Sequence, residues 1–137
     1  MSIQYKAIIT EEQKGELFVQ FPALNEAFTE GRTLAEALFK AAEVLNLSLE
    51  GRLIDGLEIP PPDVDKYADN EYLMTPEANI QSALLIHFNR SYLSPTELTD
   101  ILTISGHQIE YPKNNMTLSE LEKIAFTMGK KLIVDFA

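Results

Sequence analysis

An α+β fold is the class this sequence predicts, and three observations predict it. Residues 3–10 (IQYKAIIT) and 16–21 (ELFVQF) are short runs rich in Ile, Tyr, Val and Phe, separated by the turn-forming EEQKG, as two strands of a hairpin would be. A capped, amphipathic helix opens at Thr33. Past a seam of three consecutive prolines, Pro60, Pro61 and Pro62, helix start signals recur in series. The first half therefore reads as a small sheet with one covering helix. The second half reads as a small all-α unit closed by a terminal strand.

Each element has its own warrant. Ala27-Phe28-Thr29 forms a third short strand ahead of Gly31. Thr33 is placed to cap the next helix, and Glu36, three residues on, completes a capping box. Leu34, Leu38, Ala41, Leu45 and Leu49 recur at helical spacing and form the face expected to cover the sheet. Gly51 is the expected stop. The stretch 51–72 is rich in proline and acid. Proline sits in neither a helix interior nor a central strand, so this stretch reads as an extended linker. Tyr72-Leu73-Met74 is a candidate last strand returning to the sheet.

Beyond it, Thr75-Pro76 sets an N-cap before a proline at the first helical position. Ser94-Pro95-Thr96-Glu97 and Thr117-Leu118-Ser119-Glu120 are capping boxes. Helices are expected near 76–91, 95–102 and 118–128, with a shorter one near 105–111. Leu118, Leu121, Ile124, Ala125 and Met128 should face inward on the last. Gly129 ends it, and residues 131–136 (KLIVDF) read as the terminal strand.

Composition removes several functions. The chain holds no cysteine, which excludes disulfides, thiolate metal sites and a cysteine nucleophile. The opening MSIQYKAIITEE lacks a long apolar core and the apolar runs are too short to span a bilayer, so a cytoplasmic protein away from membranes is expected. The two histidines, His87 and His107, lack the spacing that puts two ligands on one helical face, and no metal or cofactor is expected. No phosphate-binding loop or nucleophile elbow is present. The interiors of the first two strands carry no carboxylates, whereas a two-metal nuclease needs them on rigid strands. No catalytic residues are assigned, and an enzyme is not expected.

Charge is uneven. Residues 1–79 carry 6 Lys/Arg against 15 Asp/Glu, whereas residues 80–137 carry 5 against 6. The acidic first half repels phosphate backbones and attracts basic partners.

Tyr5-x-Ala7, Phe18-Val19-Gln20-Phe21-Pro22, Thr29-x-Gly31-x-Thr33-x-x-Glu36-Ala37, Ala41, Leu45 and the prolines at 60–62 together resemble the HicB antitoxin family over roughly residues 3–63. The chain departs from the family at Ala23-Leu24-Asn25-Glu26, where an Asp-x-Pro-Gly type turn is usual. The resemblance implies a partly degraded ribonuclease-H-like β-β-β-α-β domain without nuclease activity. It implies a partner too, HicA, a small basic mRNA-cutting toxin whose active site such proteins occlude. The acidic first half matches that partner in charge sense.

HicB-like proteins carry a C-terminal DNA-binding module. Residues 94–136 look like a phage-repressor-type helix-turn-helix, with 95–102 as supporting helix and 105–111 as recognition helix. Ser105, His107, Gln108 and Tyr111 would then face base edges, and Thr96 and Lys113 the phosphates. No Lys or Arg lies between Ser91 and Pro112, although phosphate neutralisation supplies much of DNA affinity. Two readings stay open at this point, a DNA-binding domain and a helical dimerisation module. In either, Leu132, Ile133, Val134 and Phe136 of the terminal strand would pair with a second copy, giving a homodimer or higher assembly.

The division expected is a toxin-binding domain over 1–63, a linker or last strand over 64–75, and a DNA-binding and dimerisation domain over 76–137. The function expected is an antitoxin that neutralises a HicA-like toxin and represses its own operon by binding operator DNA. The alternative is a HicB-like adaptor that binds protein only.

Overall fold

The computed structural model describes residues 3–89 and 117–136. Four strands and three helices are seen among them: β1 (Tyr5–Glu11), β2 (Leu17–Phe21), β3 (Leu24–Gly31), α1 (Leu34–Asp55), β4 (Glu71–Met74), α2 (Ala78–Asn89) and α3 (Leu118–Thr127). The strands form one antiparallel sheet in the order β3-β2-β1-β4. The chain is thus α+β, with the order β-β-β-α-β over its first 74 residues.

Alternation decides which side of the sheet is covered. Tyr5, Ala7 and Ile9 of β1 are buried with Val19 and Phe21 of β2, and α1 lies over them. The helix contributes Ala37, Ala41, Leu45, Leu49 and Leu53, which recur every four residues and are all buried. Truncating Leu45 or Leu49 to alanine would cost about 2–5 kcal/mol, the usual range for a fully enclosed leucine. Ile80, Ala83 and Leu84 of α2 enter the same core. The Asn46 side chain of α1 accepts the Glu77 N–H at 3.0 Å, which ties the start of α2 to α1.

The junction between β3 and α1 explains the Thr-x-Gly-x-Thr spacing. Thr33 is the N-cap, its hydroxyl accepting the Glu36 N–H at 3.1 Å. The Glu36 carboxylate does not return to the cap; it pairs with Lys40 at 3.1 Å. Gly31 is pressed against the first turn of α1, where a Cβ would stand 2.6 Å from the Ala37 nitrogen and 2.9 Å from its Cα. Only glycine fits that approach.

Several expectations are corrected. Helix α1 does not stop at Gly51. It continues to Asp55 and ends at Gly56, which takes the left-handed conformation at φ 68°. An interior glycine costs only about 1 kcal/mol. Burying Leu53 returns about 1.5–3 kcal/mol, and Arg52 is anchored as well. Leu34 is largely exposed because the buried stripe starts at Ala37. Helix α2 starts at Ala78, not Pro76, its first bond running from the Gln81 N–H to the Glu77 carbonyl. Pro76 is instead enclosed in the core. In α3 the capping box at Thr117 and Glu120 is complete, and Leu121, Ile124 and Ala125 are buried, but Leu118 is exposed and Met128 only half-buried.

The proline-rich stretch is no free linker. The Tyr5 hydroxyl donates to the Pro60 carbonyl at 2.8 Å. The Asp63 N–H reaches the Gln4 carbonyl at 2.9 Å, and the Asp63 carboxylate accepts the Lys6 N–H at 2.8 Å. These bonds lay residues 59–63 along the start of β1 as a strap. Burial pushes the Tyr5 phenol far above its ordinary range, with Asp63 adding to the effect. Beyond the strap, β4 pairs with β1 from Tyr5↔Met74 to Ile8↔Glu71. Residues 131–136 have no ladder partner among the described residues, so the expected terminal strand is not formed there. A strand exists only where another backbone satisfies its groups.

Candidate functional site

The sheet's second face is the surface that stands out. Since Tyr5, Ala7, Ile9, Val19 and Phe21 turn toward α1, the intervening Lys6, Ile8, Thr10, Phe18 and Gln20 turn away. The register places Ile8 opposite Gln20 and Gln20 opposite Phe28; one step along, Thr10 opposes Phe18 and Phe18 opposes Glu30. Phe18 and Phe28 are thus diagonal neighbours, with ring centroids 6.4 Å apart at 35°. Phe28 stays 57% exposed, a large apolar surface held rigid in mid-strand and wet. At the β4 side, Lys6 is held by Glu71 at 3.1 Å and lies 4.8 Å from the Tyr67 ring centre. The Tyr67 N–H and the Lys6 ammonium keep the Glu71 carboxyl below the usual carboxylate range.

Acid gathers at one end of the sheet. Glu11 ends β1, Glu16 precedes β2 and Glu30 lies near the end of β3, and the antiparallel register brings all three to the same edge. Glu12 joins them from the turn, and all four are exposed. Around that edge, toward the first turn of α1, a hollow of about 410 Å³ is lined by Glu16, Glu30, Gly31, Arg32, Glu36 and Lys40. Aromatic rings beside carboxylates suit Lys and Arg side chains, whose stems lie on the ring while the charge meets the acid. Such a surface can take up Lys and Arg side chains.

The β2–β3 turn supports this face from behind. Pro22 and Ala23 make a tight two-residue turn with Phe21 opposite Leu24. Pairing then jumps to Gln20↔Phe28, so Asn25, Glu26 and Ala27 bulge. The bulge aims Glu26 at α1. Its carboxylate accepts Arg52 Nε and Nη2, both at 2.8 Å, and the Ser48 hydroxyl as well. Arg52 Nη1 continues to the Glu58 carbonyl at 2.8 Å, joining sheet, helix and strap. The Arg52 hydrogen bonds hold Glu26 down at about 2. At Ala23-Leu24-Asn25-Glu26 the structure thus has a bulge and an ionic latch.

The sequence-derived site residues are distributed as follows. Thr96, Ser105, His107, Gln108, Tyr111 and Lys113 lie outside the described residues. Among the dimerisation candidates, Ile133, Val134 and Phe136 are 82%, 60% and 99% exposed, and Leu132 is half-buried. Leu132 and Ile133 line one side of a groove of about 620 Å³, with Leu121 and Ile124 of α3 and Leu85 and Ile86 of α2. His87 is half-buried in α2 with Phe88 edge-on beside it, at 5.5 Å and 79°. The open sheet face was not among the sequence-derived sites. Its signal was the period-two order of Phe18 and Gln20 against Phe28 and Glu30. Among the described residues no group of three or more His, Cys, Asp or Glu is placed to hold a metal, and no helix is long and apolar enough to cross a membrane.

The geometry is that of a small α+β scaffold with an open sheet face that carries exposed aromatic rings and has acidic residues at one end. Comparison with known proteins places it more closely. The chain is similar to Antitoxin HicB 1 of Photorhabdus laumondii, at 24% identity over 135 residues, spanning 96% of this chain and 85% of the relative. The similarity to a HicB antitoxin thus extends along nearly the whole chain, beyond the resemblance read in residues 3–63. No protein-family model matches it.

Proposed function

We propose that this protein is an antitoxin that binds a small, basic, HicA-like mRNA-cleaving toxin and blocks its active site by covering it. The observation that carries the reading is the full-length similarity to a HicB antitoxin, joined to an acidic first half. The open sheet face is the docking surface in this reading. Phe28 and Phe18 supply apolar contact, and Glu11, Glu12, Glu16 and Glu30 compete with RNA phosphates for the toxin's cations. Neutralisation is steric and electrostatic, and the chain performs no bond chemistry on its own account. The N-terminal sheet and helix, in the same reading, are a ribonuclease-H-like frame that has kept its shape for binding. Residues 76–137 dimerise and repress the operon, with Ser105, His107, Gln108 and Tyr111 at base edges and Thr96 and Lys113 at phosphates.

The test is co-purification followed by mass spectrometry. A small, basic, stoichiometric partner whose RNA cleavage stops on addition of this chain is expected. A chain that recovers no such partner, and leaves a co-expressed HicA-like toxin active, overturns the reading. A second reading, a protein-binding adaptor without operator binding, is favoured by the absence of Lys and Arg between Ser91 and Pro112. A salt-dependent gel shift on the chain's own upstream DNA decides for repression; no shift at low salt decides for the adaptor.

A further inference from the structure

The outer side of α1, turned away from the sheet, is not the polar surface that a helix covering a core usually shows. Phe39, Glu43, Leu47, Glu50 and Ile54 recur at spacings of four, four, three and four, which sets them in one row. The row is roughly 22 Å long at the helical rise. Phe39 and Leu47 are each 68% exposed and Ile54 37%, so three large apolar side chains meet water on a rigid helix. The two carboxylates between them pair with no base among the described residues; Lys40 is held by Glu36 and Arg52 by Glu26. Gly51 lies beside this row in the helix interior, where glycine is destabilising against alanine. Nothing among the described residues lies within 4 Å of the place its Cβ would take, so no internal contact there requires a glycine.

We propose that this row is the docking surface for an α-helix of a second protein partner, one that carries a bulky apolar residue with Lys or Arg a turn to either side. Leu47, Glu50, Gly51 and Ile54 stand at i, i+3, i+4 and i+7, the four positions that enclose a hole for a side chain of a facing helix. Leu47 and Ile54 are its apolar walls, and the absent side chain of Gly51 deepens it. A leucine, methionine or phenylalanine entering there covers both walls, and its own backbone can come close over Gly51. Charge selects the rest of the occupant. Glu50 belongs to the hole and Glu43 lies one turn before Leu47, so bases flanking the entering side chain meet unpaired carboxylates, and an acidic helix is repelled. A second copy of α1 would bring the same acidic row against itself. The open sheet face lies on the far side of the sheet from α1, so this partner is held without reference to a toxin. The inference goes beyond the antitoxin reading and does not rest on it.

The probe is a displayed library of helical peptides, selected on the full-length chain and counter-selected on Gly51→Leu. That substitution fills the hole from a position with open space around it, so the fold should survive it, and a Tm no lower than the parent's checks this. The expected result is a set of peptides that bind the parent and not Gly51→Leu, each with a large apolar residue and Lys or Arg three or four residues from it. For one such peptide, Gly51→Ala should weaken binding about tenfold, as one added methyl group does in a packed contact, although the same change stabilises the free chain. Replacing Glu43 and Glu50 together by Gln should weaken binding and flatten its salt dependence. Phe28→Ala, on the open sheet face, should leave it unchanged. No enrichment, peptides that bind Gly51→Leu as well as the parent, peptides without bases, or equal loss from Phe28→Ala overturns the proposal. A sedimentation profile that shifts on Gly51→Leu overturns it too, since the occupant would then be a second copy. Toxin capture is measured on the same variants and should not respond to Gly51, so the two readings fail separately.

Discussion

Phe28→Ala separates binding from folding. The Phe28 side chain is 57% exposed, so the wet part is what a partner would cover. Fully burying a phenylalanine contributes about 1.5–3 kcal/mol, and that exposed fraction scales to about 1–1.5 kcal/mol of new burial in a complex. Loss of aromatic contact with the partner and of exclusion of water around it adds to this. The complex should therefore weaken by about 1–2 kcal/mol, or roughly tenfold in Kd. Stability should change little, because the ring's contacts in the free chain are the Phe18 ring at 6.4 Å and the Gln20 pairing across the strand. The assay is calorimetric titration of the toxin recovered by co-purification, alongside thermal unfolding of both chains. A variant that binds as the parent does, with Tm unchanged, would refute the assignment of this face. So would equal loss of affinity from Phe39→Ala, an exposed residue on α1 across the molecule.

Gly31→Ala should lower Tm by about 7–10 °C, from an overpacking cost of about 2–3 kcal/mol and about 3–4 °C per kcal/mol at this length. The Cβ meets backbone atoms of Ala37 that cannot swing aside; an unchanged melting curve would contradict the geometry. Gly51→Ala should do the reverse, raising Tm by about 2–3 °C, since the residue is helical and nothing lies within 4 Å of the new Cβ. Glu26 has a folded-state pKa of about 2, below the ordinary 4.5, so its stabilising effect is fully present above pH 4.5 and disappears as pH falls toward 2. Its side chain is 48% exposed, which cuts the contribution by solvent screening to about 1 kcal/mol. Denaturant titrations at pH 7 and pH 3 should show the Glu26→Gln difference shrinking at the lower pH, and a constant difference would rule the latch out.

Much of the fold was legible because it rests on local signals. Thr33 could be read as a cap and Phe21-Pro22 as a strand end from a few residues each. The return of Tyr72-Leu73-Met74 to the sheet was visible as a candidate because an apolar run resumes there after the proline-rich stretch. The end of α1 was not legible. Gly51 and Gly56 carry the same stop signal, and what carries the helix past the first is Leu53 in the core and Arg52 on Glu26, both tertiary. The buried stripe was misjudged at Leu34 for a related reason: Ala37 and Ala41 are buried because Gly31 and the sheet come close, and small residues signal weakly in a hydrophobic pattern. Many of the residues that carry the resemblance, among them Tyr5, Ala7, Val19, Phe21, Gly31, Thr33, Ala37, Ala41 and Leu45, turn out to be core and cap, whereas Phe18 and Gln20 lie on the open sheet face. The core and cap residues report how the chain folds.

The strand order has a consequence for biosynthesis. As the chain is made from its N-terminus, β1, β2, β3 and α1 can assemble once Asp55 is available, but β1 is an interior strand whose second neighbour, β4, is encoded at Glu71–Met74. Until then the edge from Tyr5 to Ile8 offers unpaired backbone groups to any passing strand. The strap does not cover that edge: Ile9 bonds Asn70 on the β4 side, so Gln4 and Lys6, whose backbone groups bond Asp63, face the β2 side. That edge closes only when β4 arrives, so a nascent chain that has not yet reached Met74 is the form most open to pairing with a foreign strand and to aggregation.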